Sequence, residues 1–207
     1  MDRGEILRYM GAGPGREATE QLVDQCLVEA LPLLSYRVCW RRFAIPEGAG
    51  EHLLPFDAMG SRDIKKCLEG AREGILFAAT LGLSLDRALF QYGRTAPSRG
   101  ICFQAIGAER IESLCDGFCR DMASETGLYP GPRFSPGYGD LPLLTQKEIF
   151  RLLDCPGRIG LTLTDSLLMS PSKSVTAVFG LYPDRDCRKS RGCSACKKTD
   201  CNYRRNG

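Results

Sequence analysis

Residues 127–181 read GLYPGPRFSPGYGDLPLLTQKEIFRLLDCPGRIGLTLTDSLLMSPSKSVTAVFGL, and their patterning decides the fold class. The first part, 127–142, is so dense in proline and glycine that it is neither helix nor central strand. It reads as a rigid, turn-rich loop, and long ordered loops in compact domains are often functional. Thr145 and Glu148 then make a T-x-x-E capping box. Ile149, Leu152 and Leu153 give the helix after it an apolar face, and Cys155-Pro156-Gly157 stops it. Beyond, Ile159, Leu161 and Leu163 alternate with smaller or polar residues, and Val175, Ala177, Phe179 and Leu181 do the same. That period of two predicts two strands, each with one buried face. The polar, proline-broken segment between them suits an antiparallel pair.

Working outward, Leu22, Cys26 and Ala30 recur at helical spacing, which predicts a helix over 17–31 that ends near Pro32. Residues 36–45 (YRVCWRRFAI) mix β-branched and aromatic side chains and read as a strand. Ser61 is an expected N-cap, with Ile64, Cys67, Leu68 and Ala71 on the buried face of the helix it starts. Residues 75–81 are a buried strand or a core helix, which periodicity does not separate in so short a run. A short helix is expected over 84–92. Residues 98–125 carry the longest helical pattern, with Ile101, Ala105, Ala108, Ile111, Cys115, Phe118 and Met122 on one face. Cys102, Cys115 and Cys119 lie on or beside that stripe, where a thiol behaves as a small hydrophobe.

The 207 residues are enough for one or two domains with a real core. With 26% charged and 43% hydrophobic residues, wholesale disorder is excluded. The longest weakly polar run, 74–85, is too short to span a bilayer. No apolar h-region marks a signal peptide in the first 25 residues, so a cytoplasmic, non-membrane protein is expected. The net charge of +3 points to no partner, but residues 182–207 carry a surplus of five positive charges and four of the eleven cysteines. Clustered cysteines in a cytosolic chain indicate a metal or redox site rather than a disulfide framework.

Most catalytic devices are absent. His52 is the only histidine and has no partner pattern around it, so a histidine-dependent nucleophilic site is not expected. No HExxH, GxSxG or P-loop motif occurs, and the G-x-G-x-G string of residues 11–15 lacks the spacing of a dinucleotide loop. The loop RFSPGY, 133–138, stands out instead. Arg133 offers a planar fork of donors suited to a carboxylate. Pro136-Gly137 permits a tight turn that exposes backbone groups, and Tyr138 presents a face able to attract a cation. A ligand with both a carboxylate and a positive centre suits that set; a proline-stiffened surface turn is the alternative.

The segments RFSPGYGDLPLLTQKEIFRLLD and IGLTLTDSLLMSPSKSVTAVFGL resemble the activation domain of cobalamin-dependent methionine synthase. That family carries an R-x-x-P-G-Y loop, a T-x-K-E helix start and an I-G-x-x-L-T…M-x-P-x-x-S-V strand pair. All three occur here in order between Arg133 and Leu181. Upstream, ILFAATLG and QAIGAERIES resemble stand-alone versions of the domain. The resemblance implies an α+β fold, a bent antiparallel sheet flanked by helices. It also implies S-adenosylmethionine binding and closure over a partner's cobalamin, so that an external electron donor can reduce the cobalt for remethylation. By the same resemblance, Arg133 and Tyr138 contact the ligand, while Pro136 and Gly137 shape the turn beneath its adenosyl portion. The family's upstream acidic ligand contact falls nearest Glu125. Ser170, Pro171 and Ser174 match family residues that shape the hairpin.

The chain departs from the family where PGYP-x-C-P becomes PGYGDLP. Gly139 and Asp140 replace the usual residues, and Asp140 is an expected partner for the ligand's ammonium. The family's last strand, with a further tyrosine, has no counterpart after Leu181. In its place Cys187, Cys193, Cys196 and Cys201 form C-x5-C-x2-C-x4-C. Thiolates at this spacing suit a tetrahedral zinc or an iron–sulfur cluster, and spacing does not separate the two. A segment so poor in apolar residues needs a metal or partner to order it. The need for a low-potential electron favours a cluster, and the basic charge suits an acidic ferredoxin or flavodoxin. A zinc module on nucleic acid is a weaker reading, because the tail shows no recognition helix.

The expectation is therefore one domain, 1–181, with a cysteine-rich tail, 182–207. It would act as a stand-alone reactivation subunit for a methionine synthase, and would not make methionine alone. An electron-transfer activator of another corrinoid methyltransferase is the alternative.

Overall fold

The computed structural model describes residues 1–13, 15–46 and 54–184. Cys187, Cys193, Cys196 and Cys201 of the expected metal site lie outside them, as does His52. The chain divides into two compact units, each drawn from three segments. One comprises Met1–Cys39, Ala78–Phe118 and Phe150–Thr176; the described residues of the other lie within Trp40–Phe77, Cys119–Ile149 and 177–184.

Helices α1 (Arg3–Tyr9) and α2 (Glu17–Ala30) lead into strand β1 (Arg37–Ala44). Helix α3 (Arg62–Leu68), strand β2 (Glu73–Thr80) and helices α4 (Leu83–Thr95) and α5 (Pro97–Thr126) follow. The remainder is β3 (Tyr129–Pro130), α6 (Gln146–Leu153), α7 (Cys155–Ile159), β4 (Thr162–Leu163), β5 (Met169–Ser170) and β6 (Ser174–Tyr182). Four strands form a sheet ordered β1-β2-β6-β3, and β4 and β5 form a separate two-stranded ribbon. β3 runs antiparallel to β6, with Tyr129 opposite Tyr182. The bonds Ser35 N–H to Leu81 O and Ile45 N–H to Arg72 O set β1 antiparallel to β2. Leu81 N–H to Lys173 O and Arg72 N–H to Leu181 O do the same for β2 and β6. The α+β class with an antiparallel sheet is thus as expected.

The ambiguous run at 75–81 is a strand, and Ile75, Leu76, Phe77, Ala78 and Ala79 are all fully buried. A strand covered on both faces reads as a continuous apolar run, which is why alternation gave no signal. In the first unit, α2 buries Val23, Cys26, Leu27 and Ala30. Tyr92 and Phe103 pack with ring centroids 4.9 Å apart, and the Tyr92 hydroxyl donates to Glu29 Oε2 at 2.7 Å. In the second unit, Phe77 and Phe179 meet edge to face, with centroids 5.9 Å apart and planes at 76°. Such pairs add about 0.5–1.5 kcal/mol beyond their burial.

Three sequence expectations need correction. The alternating runs at 159–163 and 175–181 do not pair with each other. Ile159 ends helix α7, β4 pairs with β5 within the intervening segment, and β6 joins the main sheet. β6 is moreover buried along almost its whole length and not on one face only, so alternation located the strand but neither its exposure nor its neighbour. Helix α6 is entered through a 3₁₀ turn, Leu143–Thr145, and Thr145 Oγ1 donates back to Pro142 O at 2.7 Å. On α5, Ile101 is exposed while Cys102, Phe103 and Ile106 are buried, so the covered arc lies beside the predicted stripe there. Cys102, Cys115 and Cys119 are buried in accord with a packing role. Among the described residues, no helix is long and apolar enough to cross a membrane.

Candidate functional site

The RFSPGY loop belongs wholly to the second unit, as do Asp140 and Glu125. Its leading arm is an extension of the sheet. Gly131 N–H donates to Gly180 O at 2.8 Å, and Phe134 exchanges two backbone hydrogen bonds with Val178 at 2.8 and 2.9 Å. Arg133, half-buried, is therefore held on backbone that is paired on both sides of it. Cys67 of α3 approaches the same arm, its Sγ lying 3.6 Å from Pro132 O, and the Tyr182 hydroxyl donates to Cys67 O.

The chain then reverses. Tyr138 N–H donates to Ser135 O at 3.2 Å, closing a turn with buried Pro136 second and Gly137 third. Gly137 has φ +86°, the value a type II turn requires at that position, where a side chain would be strained. The expected Pro-Gly turn is present. Gly137 N–H donates to Leu141 O at 2.9 Å, and Leu141 N–H returns to Tyr138 O at 3.1 Å. The turn is thus locked from within, and it leaves Tyr138 with 69% of its surface exposed. An exposed ring on a rigid turn is available to stack on, or attract, a cationic group.

Behind the turn stands the N-terminus of α3. Ser61 is its cap, its Oγ accepting from Ile64 N–H at 3.3 Å. The same hydroxyl donates to Asp140 Oδ1 at 2.5 Å. Asp140 also accepts from Arg62 N–H at 2.9 Å and Asp63 N–H at 3.1 Å. Three otherwise unpaired amides of the first turn are thereby satisfied. The Ser61 hydroxyl, followed by the Arg62 and Asp63 amides, holds the Asp140 carboxyl down to about 2. Gly139 lies between this anchor and the turn with φ +54°; a Cβ there would stand 2.4 Å from Asp63 Oδ2 and 3.2 Å from Phe134 Cζ.

Arg133, Pro136, Gly137, Tyr138 and Asp140 are accordingly held in one braced segment. Glu125 sits on a different element, exposed in the last turn of α5. Ser61 was legible as a cap, but nothing in the sequence links it to Asp140 across 79 positions. Ser174, buried, donates to Pro171 O at 2.7 Å, and its Oγ lies 2.8 Å from Thr80 Oγ1. Among the described residues, no group of His, Cys, Asp or Glu side chains is placed to hold a metal ion.

Residues 119–190, which contain this entire segment, match the family model "Vitamin B12 dependent methionine synthase, activation domain". No curated protein matches the chain significantly. Among solved structures, the crystal structure of the MetH reactivation domain bound to AdoHcy superposes with a TM-score of 0.59 at 17% identity. The match covers 86% of this chain and 69% of that one. The resemblance noted in the sequence is borne out: residues 119–190 carry the activation-domain pattern of vitamin B12-dependent methionine synthase, on a chain with the fold of the MetH reactivation domain.

Proposed function

We propose that the chain binds S-adenosylmethionine through the 133–138 loop and serves in the reductive methylation that reactivates the cobalamin of a methionine synthase. The observation that carries this reading is the coincidence of the family-matched segment with the braced turn that presents Arg133 and Tyr138. The donor set fits the ligand. The Arg133 guanidinium matches its carboxylate, and the exposed Tyr138 ring matches its sulfonium cation. Pro136 and Gly137 hold the turn, and Glu125 is the candidate for the upstream acidic contact. S-adenosylmethionine supplies the methyl group, and the cobalamin is carried by the partner. The likeness of the upstream segments to stand-alone versions of the domain favours a separate subunit that acts in the cytoplasm. The chain itself would contribute binding and presentation, not side-chain acid–base chemistry.

The electron would come from a ferredoxin or flavodoxin, with the basic tail as its encounter surface. Cys187, Cys193, Cys196 and Cys201 would hold an iron–sulfur cluster on that route, with zinc as the other candidate. The four-cysteine pattern also favours a second reading, an electron-transfer activator of another corrinoid methyltransferase.

The test is an absorbance assay. A methionine synthase without its own activation domain, held in the cob(II) state, is mixed with a one-electron reductant, S-adenosylmethionine and this chain. Conversion to the methylated spectrum that requires the chain and fails with Arg133→Ala is expected. Conversion at the same rate without the chain refutes the reading. Iron, sulfide and zinc analysis of anaerobically purified protein tests the tail: one zinc without sulfide refutes the cluster.

A further inference from the structure

The place where the chain departs from the family, Gly139-Asp140, coincides with the best-tethered point of the loop. Asp140 is exposed, yet its carboxylate spends three of about four acceptor sites on Ser61 Oγ and the Arg62 and Asp63 amides. All three donors belong to one helix start, 77 to 79 positions away in sequence. An anionic group is favoured there by the partial positive charge of a helix N-terminus. Ser61 is only 2% exposed and is held in turn by Ile64 N–H, so the receiving end of the tether is itself fixed. Gly139 makes the approach sterically possible, since a side chain there would meet Asp63 and Phe134. The tether ends one residue before Leu141, whose backbone carbonyl and amide close the turn on Gly137 and Tyr138.

We propose that Asp140 is a positioning residue, and not a ligand contact: with Ser61 it pins the trailing arm of the 133–138 turn to helix α3 and so sets the presentation of Tyr138. The leading arm is already fixed by pairing with β6. The Asp140–Ser61 anchor supplies the second fixed end. A loop fixed at both ends loses less freedom when a ligand arrives, which favours affinity. Ser61 and Asp140 thereby become specificity-neutral contributors to binding, acting on every ligand of the turn alike. This rests on the proposed reading of the turn as the binding element.

The test combines two readouts on the full chain. Amide hydrogen exchange without ligand is followed at Gly137, Tyr138 and Leu141 in the wild type, Asp140→Ala, Ser61→Ala and Asp140→Asn. Tenfold or faster exchange is expected at these amides in both alanine variants, with the Phe77 and Phe179 amides unchanged. Asp140→Asn, which keeps a capping acceptor, should recover part of the protection. Unchanged exchange at the turn in Asp140→Ala overturns the proposal. Binding of S-adenosylmethionine is then compared with that of 5′-dimethylsulfonio-5′-deoxyadenosine, which keeps the sulfonium that Tyr138 would meet but lacks the ammonium and carboxylate. Asp140→Ala should weaken both by the same factor, about tenfold. A loss confined to S-adenosylmethionine would make Asp140 a contact to the ammonium and overturn the proposal. A wild type that binds neither compound refutes the proposed function, while the exchange data still decide the anchor.

Discussion

Replacing Gly139 by alanine perturbs the loop at the residue where backbone and side-chain constraints coincide. Its φ of +54° lies in the left-handed region, which costs an ordinary L-residue about 1–2 kcal/mol. The unfolded chain opposes this, because alanine has less freedom to lose, by about 0.4–1 kcal/mol. The new Cβ would also meet Asp63 Oδ2 at 2.4 Å and Phe134 Cζ at 3.2 Å. The carboxylate is the end of a flexible side chain and swings aside, so the ring contact and the backbone dominate. A net destabilisation of about 1 kcal/mol follows, which lowers Tm by about 2–4 °C in a chain of this size. Gly139→Asn brings the same Cβ but a residue tolerant of positive φ, so it should be less damaging than alanine. Thermal unfolding by circular dichroism measures all three proteins. An alanine variant as stable as the wild type would refute the strained-backbone argument. Asparagine as harmful as alanine would shift the cause to the Cβ contact.

Three further outcomes are expected. Gly93→Ala, in exposed helix α4 with open space around the added Cβ, should stabilise by about 0.5–1 kcal/mol, read as a raised Tm. Phe179→Ala empties a fully buried site against Phe77 and should cost about 3–5 kcal/mol, measured by denaturant titration. Asp140 has its pKa depressed from 3.8 to about 2, so its stabilisation is complete above about pH 4 and is lost as pH falls toward 2. The Tm gap between wild type and Asp140→Asn should therefore close across that window; a gap constant from pH 5 to pH 2 would contradict the hydrogen-bonded assignment.

What the sequence made legible depended on how local the cause was. The Ser135–Tyr138 turn follows from Pro136 and Gly137, whose backbone preferences act within four residues. Ser61 was legible as a cap for the same reason: its acceptor serves an amide three residues on. The strand β6 was visible through alternation, but its neighbours β2 and β3 were not, because partner choice is settled by long-range packing. Asp140 shows the limit most clearly. The sequence offered Asp140 as a partner for the ligand's ammonium; that it reaches the start of a helix 77 positions earlier is visible only in the fold.

Binding of S-adenosylmethionine is the central claim, and isothermal titration calorimetry of the wild type beside Arg133→Ala tests it most directly. Saturable binding that the substitution weakens at least tenfold, about 1.4 kcal/mol, is the result expected. Saturable binding of equal strength in both proteins would contradict the site, and no heat at millimolar ligand in the wild type would contradict the function.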